Sequence, residues 1–205
     1  IADPINTDEM EHKPDIASCD SYDEEVPDEN NPSDGATLVY RTYAGPSRDY
    51  NYPIAFLAER GDGSSDDTFY ENTVKLALYY NLELLFEYSK IAIGTYFKDV
   101  GAEKYLKERP DLRQALGPTK ARNEHGQRMT TDVKTLGTKL LKSEVANNSG
   151  AIWFKNILLD LIDFGDKNTD IAMAYMIVLL YKLELFDQIV DDDLGDYDDG
   201  NNIFD

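Results

Sequence analysis

A chain of 205 residues, 41% of them apolar, can bury one core of ordinary domain size. Its single cysteine, Cys19, excludes a disulfide framework, and its longest apolar run, Ile171 to Tyr181, falls short of the roughly 20 residues a membrane span needs. A net charge of −20 argues against a nucleic-acid partner until it is divided along the chain. Residues 1–34 hold 12 acidic side chains and one Lys, and residues 187–205 hold 8 acidic side chains and no basic one. Residues 35–186 are near neutral, and within them 90–155 carries 13 basic against 7 acidic side chains. The acidity belongs to the ends, and the middle offers a basic stretch of the kind phosphate contact requires. A mixed solvated surface accounts for the same charges.

Residues 1–14 read as a lead-in from a preceding domain. The opening residues are acidic and poor in apolar side chains, unlike a secretory leader. The chain opens at Ile1 without an initiator Met, as a piece of a longer polypeptide would. Asp15 to Asp20 reads as a short strand ending in a carboxylate, followed by a polar loop over 21–35. Ala36 to Tyr43 and Tyr52 to Glu59 are rich in strand formers, which makes an antiparallel meander of three. Thr68 and Glu71 have the spacing of a capping box at the head of a helix that Asn81 can stop. Leu82 to Glu87 is a short apolar run suited to a buried strand. Strand, helix and strand in this order favour a crossover with parallel pairing.

Ile91 to Val100 reads as a helix closed by Gly101. Residues 107–130 are irregular and basic, broken by Pro110 and Pro118, with a fifth strand expected over 126–130. Helices are expected over Thr131 to Val145 and Ala151 to Phe164, the second with Phe154, Ile157, Leu158, Leu161 and Ile162 on one stripe. Thr169 is expected to cap a final helix reaching about Phe186. Residues 187–205 form an acidic tail expected to be disordered. The main domain is thus 15–186, of α/β class.

Asp20 and Glu87 each end an expected strand. If those strands are parallel neighbours, both carboxylates emerge at one sheet edge, where open α/β sheets place their sites. Two carboxylates held together call for a cation, and hard oxygen ligands favour Mg²⁺ or Mn²⁺. Asp170, in the first turn of the last helix, is the third candidate, with Asp163 and Asp166 as competitors. Plainer roles fit each residue too: a turn-initiating Asp, a solvent-facing strand end, a carboxylate on a helix dipole. Lys120, Arg122 and Arg128 form a basic set that could grip a phosphate backbone. No phosphate-binding loop of the G-x-x-x-x-G-K-[ST] form occurs, and no Cys/His cluster has zinc spacing. His12 and His125 stand alone. The tail piece 196–202, DYDDGNN, matches a calcium loop only loosely, since no closing Glu follows.

The pieces Cys19-Asp20-Ser21-Tyr22, Phe69-Tyr70-Glu71-Asn72, Tyr79-Tyr80-Asn81, Leu85-Phe86-Glu87 and Gly94-Thr95-Tyr96-Phe97, with the late segment Asn168-Thr169-Asp170-Ile171-Ala172-Met173-Ala174, resemble in order and spacing the nuclease domain of the large terminase subunit, the DNA-packaging motor of tailed bacteriophages. The resemblance covers most of 15–186. It implies an RNase H-like fold with a mixed five-stranded sheet flanked by helices. It also implies a two-metal endonuclease, using two Mg²⁺ or Mn²⁺ ions, that cuts concatemeric viral double-stranded DNA in the host cytoplasm during genome packaging. By the same resemblance Asp20, Glu87 and Asp170 bind the metals. Asp166 and Asp23 are further candidate ligands, with Glu24 and Asp34 nearby in the acidic loop. The DNA-binding role of Lys120, Arg122 and Arg128 follows. Implied partners are the portal protein and the small terminase subunit, with no membrane, and the family's ATPase domain is missing from this chain. The rival readings are another RNase H-like nuclease such as a junction resolvase, and a non-catalytic acidic interaction module.

Overall fold

The computed structural model describes residues 11–12, 15–22, 35–44, 51–59, 68–117, 124–165, 167 and 169–194. At its centre is a four-stranded mixed sheet. Strand β2 (Ile16–Asp20) pairs antiparallel with β3 (Gly35–Arg41), which pairs antiparallel with β5 (Tyr52–Glu59). On its other side β2 pairs in parallel with β6 (Leu84–Phe86), so the order is β5-β3-β2-β6. Two shorter pieces, β1 (Glu11–His12) and β4 (Tyr43–Ala44), pair with each other, which puts residues 11–12 of the expected lead-in into a ladder.

All five residues of β2 are buried, because it is an inner strand covered on both faces. Side chains alternate across a strand, and the two faces meet different helices. Ala17, Cys19, Val39, Leu84 and Phe86 face helices α1 (Thr68–Tyr80) and α2 (Ile91–Asp99), packing on Phe69, Ala77, Ile93 and Phe97. Ile16, Leu38, Tyr40 and Leu85 face the later helices and pack on Leu141, Ile157, Tyr175 and Val178. These come from α4 (Thr131–Asn148), α5 (Lys155–Asp163) and α6 (Asp170–Leu194). A one-turn helix, α3 (Arg113–Leu116), lies between the two groups in sequence.

Local chemistry explains the boundaries. Helix α1 stops where Asn81 adopts φ +49°, donates to the Leu78 carbonyl at 3.3 Å, and lets Leu82 donate back to Ala77 at 3.1 Å. This is a Schellman termination, with the buried Leu82 as its apolar anchor. Thr68 already lies inside the helix, one position too deep to be the cap a capping box requires. At α4, the Thr130 side chain accepts from Val133 N. Gly137 lets α4 and α6 approach closely, since a Cβ there would come within 2.4 Å of Met176 Cγ.

Four expectations need correction. No fifth strand forms over 126–130: Gln127 makes a single parallel bridge to Glu87, and Leu106 makes one to Leu84. Gly126 sits at φ +84° against the Phe86 ring, a left-handed conformation that breaks a strand. Two short segments therefore share the outer edge of β6. Helix α5 begins at Lys155 rather than Ala151, because 149–151 form a 3₁₀ turn. Ile162 is 75% exposed and lies off the buried stripe. Helix α6 runs on to Leu194 instead of ending near Phe186.

Helices α4 and α6 are fastened to β3 by a buried polar network. Glu144 accepts from Tyr40, from Tyr175 at 3.3 Å and from Asn148 at 2.8 Å, and pairs with Lys182 at 3.2 Å. The Tyr40 hydroxyl accepts from Lys182 at 3.2 Å and also lies 3.0 Å from the Asn51 carbonyl, which competes with Glu144 for its one proton. Such a network holds register only when its members are satisfied together. Among the described residues no helix is long and apolar enough to cross a membrane.

Candidate active site

The parallel register of β2 and β6 decides where the first two acids go. Cys19 pairs with Phe86, and Glu87 N donates to Cys19 O at 3.1 Å, so the next step of the ladder sets Asp20 opposite Glu87. Paired residues in a ladder share a face, and alternation turns both away from α1 and α2 toward α6. The third acid arrives on α6 itself. Ser18, two residues before Asp20 on the same face, donates its hydroxyl to the Ala174 carbonyl of α6. That bond fixes the first turns of α6 over the end of β2, with Asp170 one turn above Ala174.

The electrostatics agree with this placement. The Asp20 carboxyl is held well above the ordinary carboxylate range, first by burial, then by the charges of Glu87 and Asp170, with Lys90 pulling the other way. A hydrogen bond shared with Glu87 acts in the raising direction. Asp20 thus feels the charges of both Glu87 and Asp170, although 150 positions separate Asp20 from Asp170 in sequence. A carboxylate–carboxylate hydrogen bond needs a proton on one of its two partners.

Several neighbours were not evident in the sequence. Asp160, on α5, accepts from Ala172 N at 2.7 Å and so caps the helix that carries Asp170. Thr169 holds the backbone cap position, its carbonyl accepting from Met173 N at 3.0 Å. Burial raises the Asp160 carboxyl, against the lowering effect of the Ala172 and Ile171 amides. Lys90 closes a turn with Glu87, its N–H donating to Glu87 O at 3.0 Å, and Ser89 donates to Glu87 Oε1 at 2.5 Å. Tyr70 donates to the Tyr22 carbonyl at 2.9 Å and fastens the chain as it leaves Asp20. Cys19 is buried and its thiol is pushed up by burial, so it is not a nucleophile.

The remaining candidates divide. Asp163 pairs with Lys167 at 2.7 Å on the exposed end of α5. Asp166, Asp23, Glu24, Asp34, Lys120 and Arg122 lie outside the described residues. The Arg128 guanidinium lies 4.3 Å from the ring centroid of Tyr88, the residue after Glu87, and 3.7 Å from Glu124. His125 makes a backbone bridge to Glu108.

Among the described residues no group of three His, Cys, Asp or Glu side chains forms a ready cage for a metal ion. The donor set nonetheless fits a hard divalent cation. Asp20, Glu87 and Asp170 all offer oxygen ligands, and the buried Oε1 of Gln127, the residue bridged to Glu87, has no hydrogen-bond partner among the described residues. Mg²⁺ and Mn²⁺ take this ligand chemistry; a site without nitrogen or sulfur ligands does not favour zinc. No family model matches the chain, and no curated protein matches its sequence.

Proposed function

We propose that this domain is a metal-dependent DNA endonuclease of the RNase H-like type, serving as the nuclease part of a viral DNA-packaging terminase. The observation that carries the reading is the parallel register that sets Asp20 opposite Glu87 at the carboxyl edge of the β2–β6 pair, where the charge of Asp170 also acts on Asp20. The RNase H-like assignment is supported by three antiparallel strands followed by a fourth parallel to the first. The terminase assignment is supported by the order of the sequence pieces around these acids.

Asp20, Glu87 and Asp170 would hold the cations. Bound divalent ions supply Lewis acidity, which lowers the pKa of a water and offsets charge on a phosphodiester. The chain's own contributions follow from its geometry. Burial of Asp20 keeps bulk water from competing for its oxygens. The Ser18–Ala174 bond and the Asp160 cap fix Asp170 relative to β2. Arg128, with its guanidinium 4.3 Å from the centroid of the Tyr88 ring, offers that group to the phosphate backbone, a contact that positions DNA without reading sequence. Lys90 stabilises negative charge at Asp20.

Plasmid cleavage in Mn²⁺, Mg²⁺ or EDTA tests the reading. Wild-type protein should nick and linearise DNA with either metal and not with EDTA. Asp20→Asn and Glu87→Gln should abolish cutting while keeping the wild-type circular dichroism spectrum. Cutting by Asp20→Asn at the wild-type rate would overturn the assignment.

A further inference from the structure

We propose that Gln127 supplies a neutral oxygen to the same cation site, completing a row Asp20–Glu87–Gln127 across the outer end of the sheet. This rests on the cation reading above and deepens it. Gln127 bridges Glu87 in parallel, with Tyr88 N donating to Gln127 O at 2.9 Å and Gln127 N donating to Phe86 O at 2.8 Å. That pairing sends the Gln127 side chain out on the face shared by Glu87 and Asp20. The residue is 3% exposed. Its Nε2 donates to the Arg128 carbonyl at 2.7 Å, which fixes the orientation of the amide: turning it over would set two oxygens against each other. The Oε1 atom is left buried with no donor among the described residues. A buried carbonyl oxygen on the same face as a carboxylate, with no hydrogen to accept among the described residues, is stabilised by a positive charge. Amide oxygens are ordinary ligands of hard cations, and a neutral one adds coordination without adding to the repulsion between the acids.

Mn²⁺ binding to the full chain, followed by titration calorimetry without DNA, separates this inference from the reading beneath it. Wild type should bind, and Asp20→Asn should not. Gln127→Leu should weaken binding about tenfold or more while leaving the circular dichroism spectrum and the metal-free melting temperature intact. Gln127→Glu, which keeps an oxygen at the position, should retain binding. No binding by wild type would remove the cation site itself. Binding by wild type that is lost in Asp20→Asn, with Gln127→Leu within twofold of wild type, would overturn the role of Gln127 alone. Should the leucine variant not fold, Gln127→Asn withdraws the oxygen by about 1.5 Å, one carbon–carbon bond, and must show the same weakening.

Discussion

Replacing Asp20 by Asn should stabilise the metal-free protein at neutral pH and make it the less stable of the two once Mn²⁺ is present. Asp20 is 7% exposed, sits opposite Glu87 and feels the charge of Asp170. Two unit charges about 4 Å apart, at an effective dielectric of about 20, repel by about 4 kcal/mol. The folded protein avoids part of this by holding the Asp20 proton, which costs about 1.4 kcal/mol for each unit its pKa is raised. The relief on substitution is therefore on the order of 1–4 kcal/mol. At about 2–4 °C per kcal/mol for a chain of this size, melting should rise by roughly 2–16 °C. The sign with pH follows from the raised folded value. Between the unfolded and folded values the native state binds more protons than the unfolded chain, so this group's stability is full below the ordinary carboxylate value and is lost as pH rises. The advantage of Asn should thus vanish near pH 3.5, where both states hold the proton, and grow toward pH 7. Mn²⁺ at about 1,000 times its dissociation constant adds about 4.1 kcal/mol to wild type alone, enough to reverse the order. Scanning calorimetry in EDTA and in Mn²⁺, from about pH 3.5 to 7.5 across the carboxylate range, reads all three effects. A variant that melts below wild type in EDTA at pH 7, or by the same margin at every pH, would refute the reasoning.

Asp160→Ala removes the acceptor for Ala172 N and should cost about 1 kcal/mol in urea denaturation, with faster amide exchange confined to the first turn of α6. Glu144→Leu leaves Lys182 buried without its partner and should cost about 3–5 kcal/mol; adding Lys182→Met should recover much of the loss, as a double-mutant cycle would show. Arg128→Ala should weaken DNA binding about equally across sequences and lower the salt dependence of the affinity by about one contact, read by fluorescence anisotropy at several salt concentrations.

What was legible in the sequence follows from the range of the forces involved. Strands β2 and β5 and the stop at Asn81 depend on alternation and on a left-handed residue, both local, and they stand within a residue of expectation. Asp20 and Glu87 were legible because each ends an apolar strand, and parallel pairing then fixes their meeting. Asp170 was legible only as a carboxylate at a helix start; that it lies over β2 depends on Ser18 and Ala174, 156 residues apart. The Asp160 cap and the orphaned Gln127 oxygen leave no periodic trace, since each is defined by a partner, or the lack of one, across the fold. The missing fifth strand turns on one backbone angle at Gly126, which a run of strand-forming residues does not reveal.

The most direct measurement is anomalous diffraction from crystals equilibrated with Mn²⁺. The expected result is a manganese peak within coordination distance of Asp20 and Glu87, with Asp170 drawn in as a further ligand. Saturating Mn²⁺ that leaves the Asp20–Glu87 pair without a peak would contradict the claim that these acids were brought together to hold a cation.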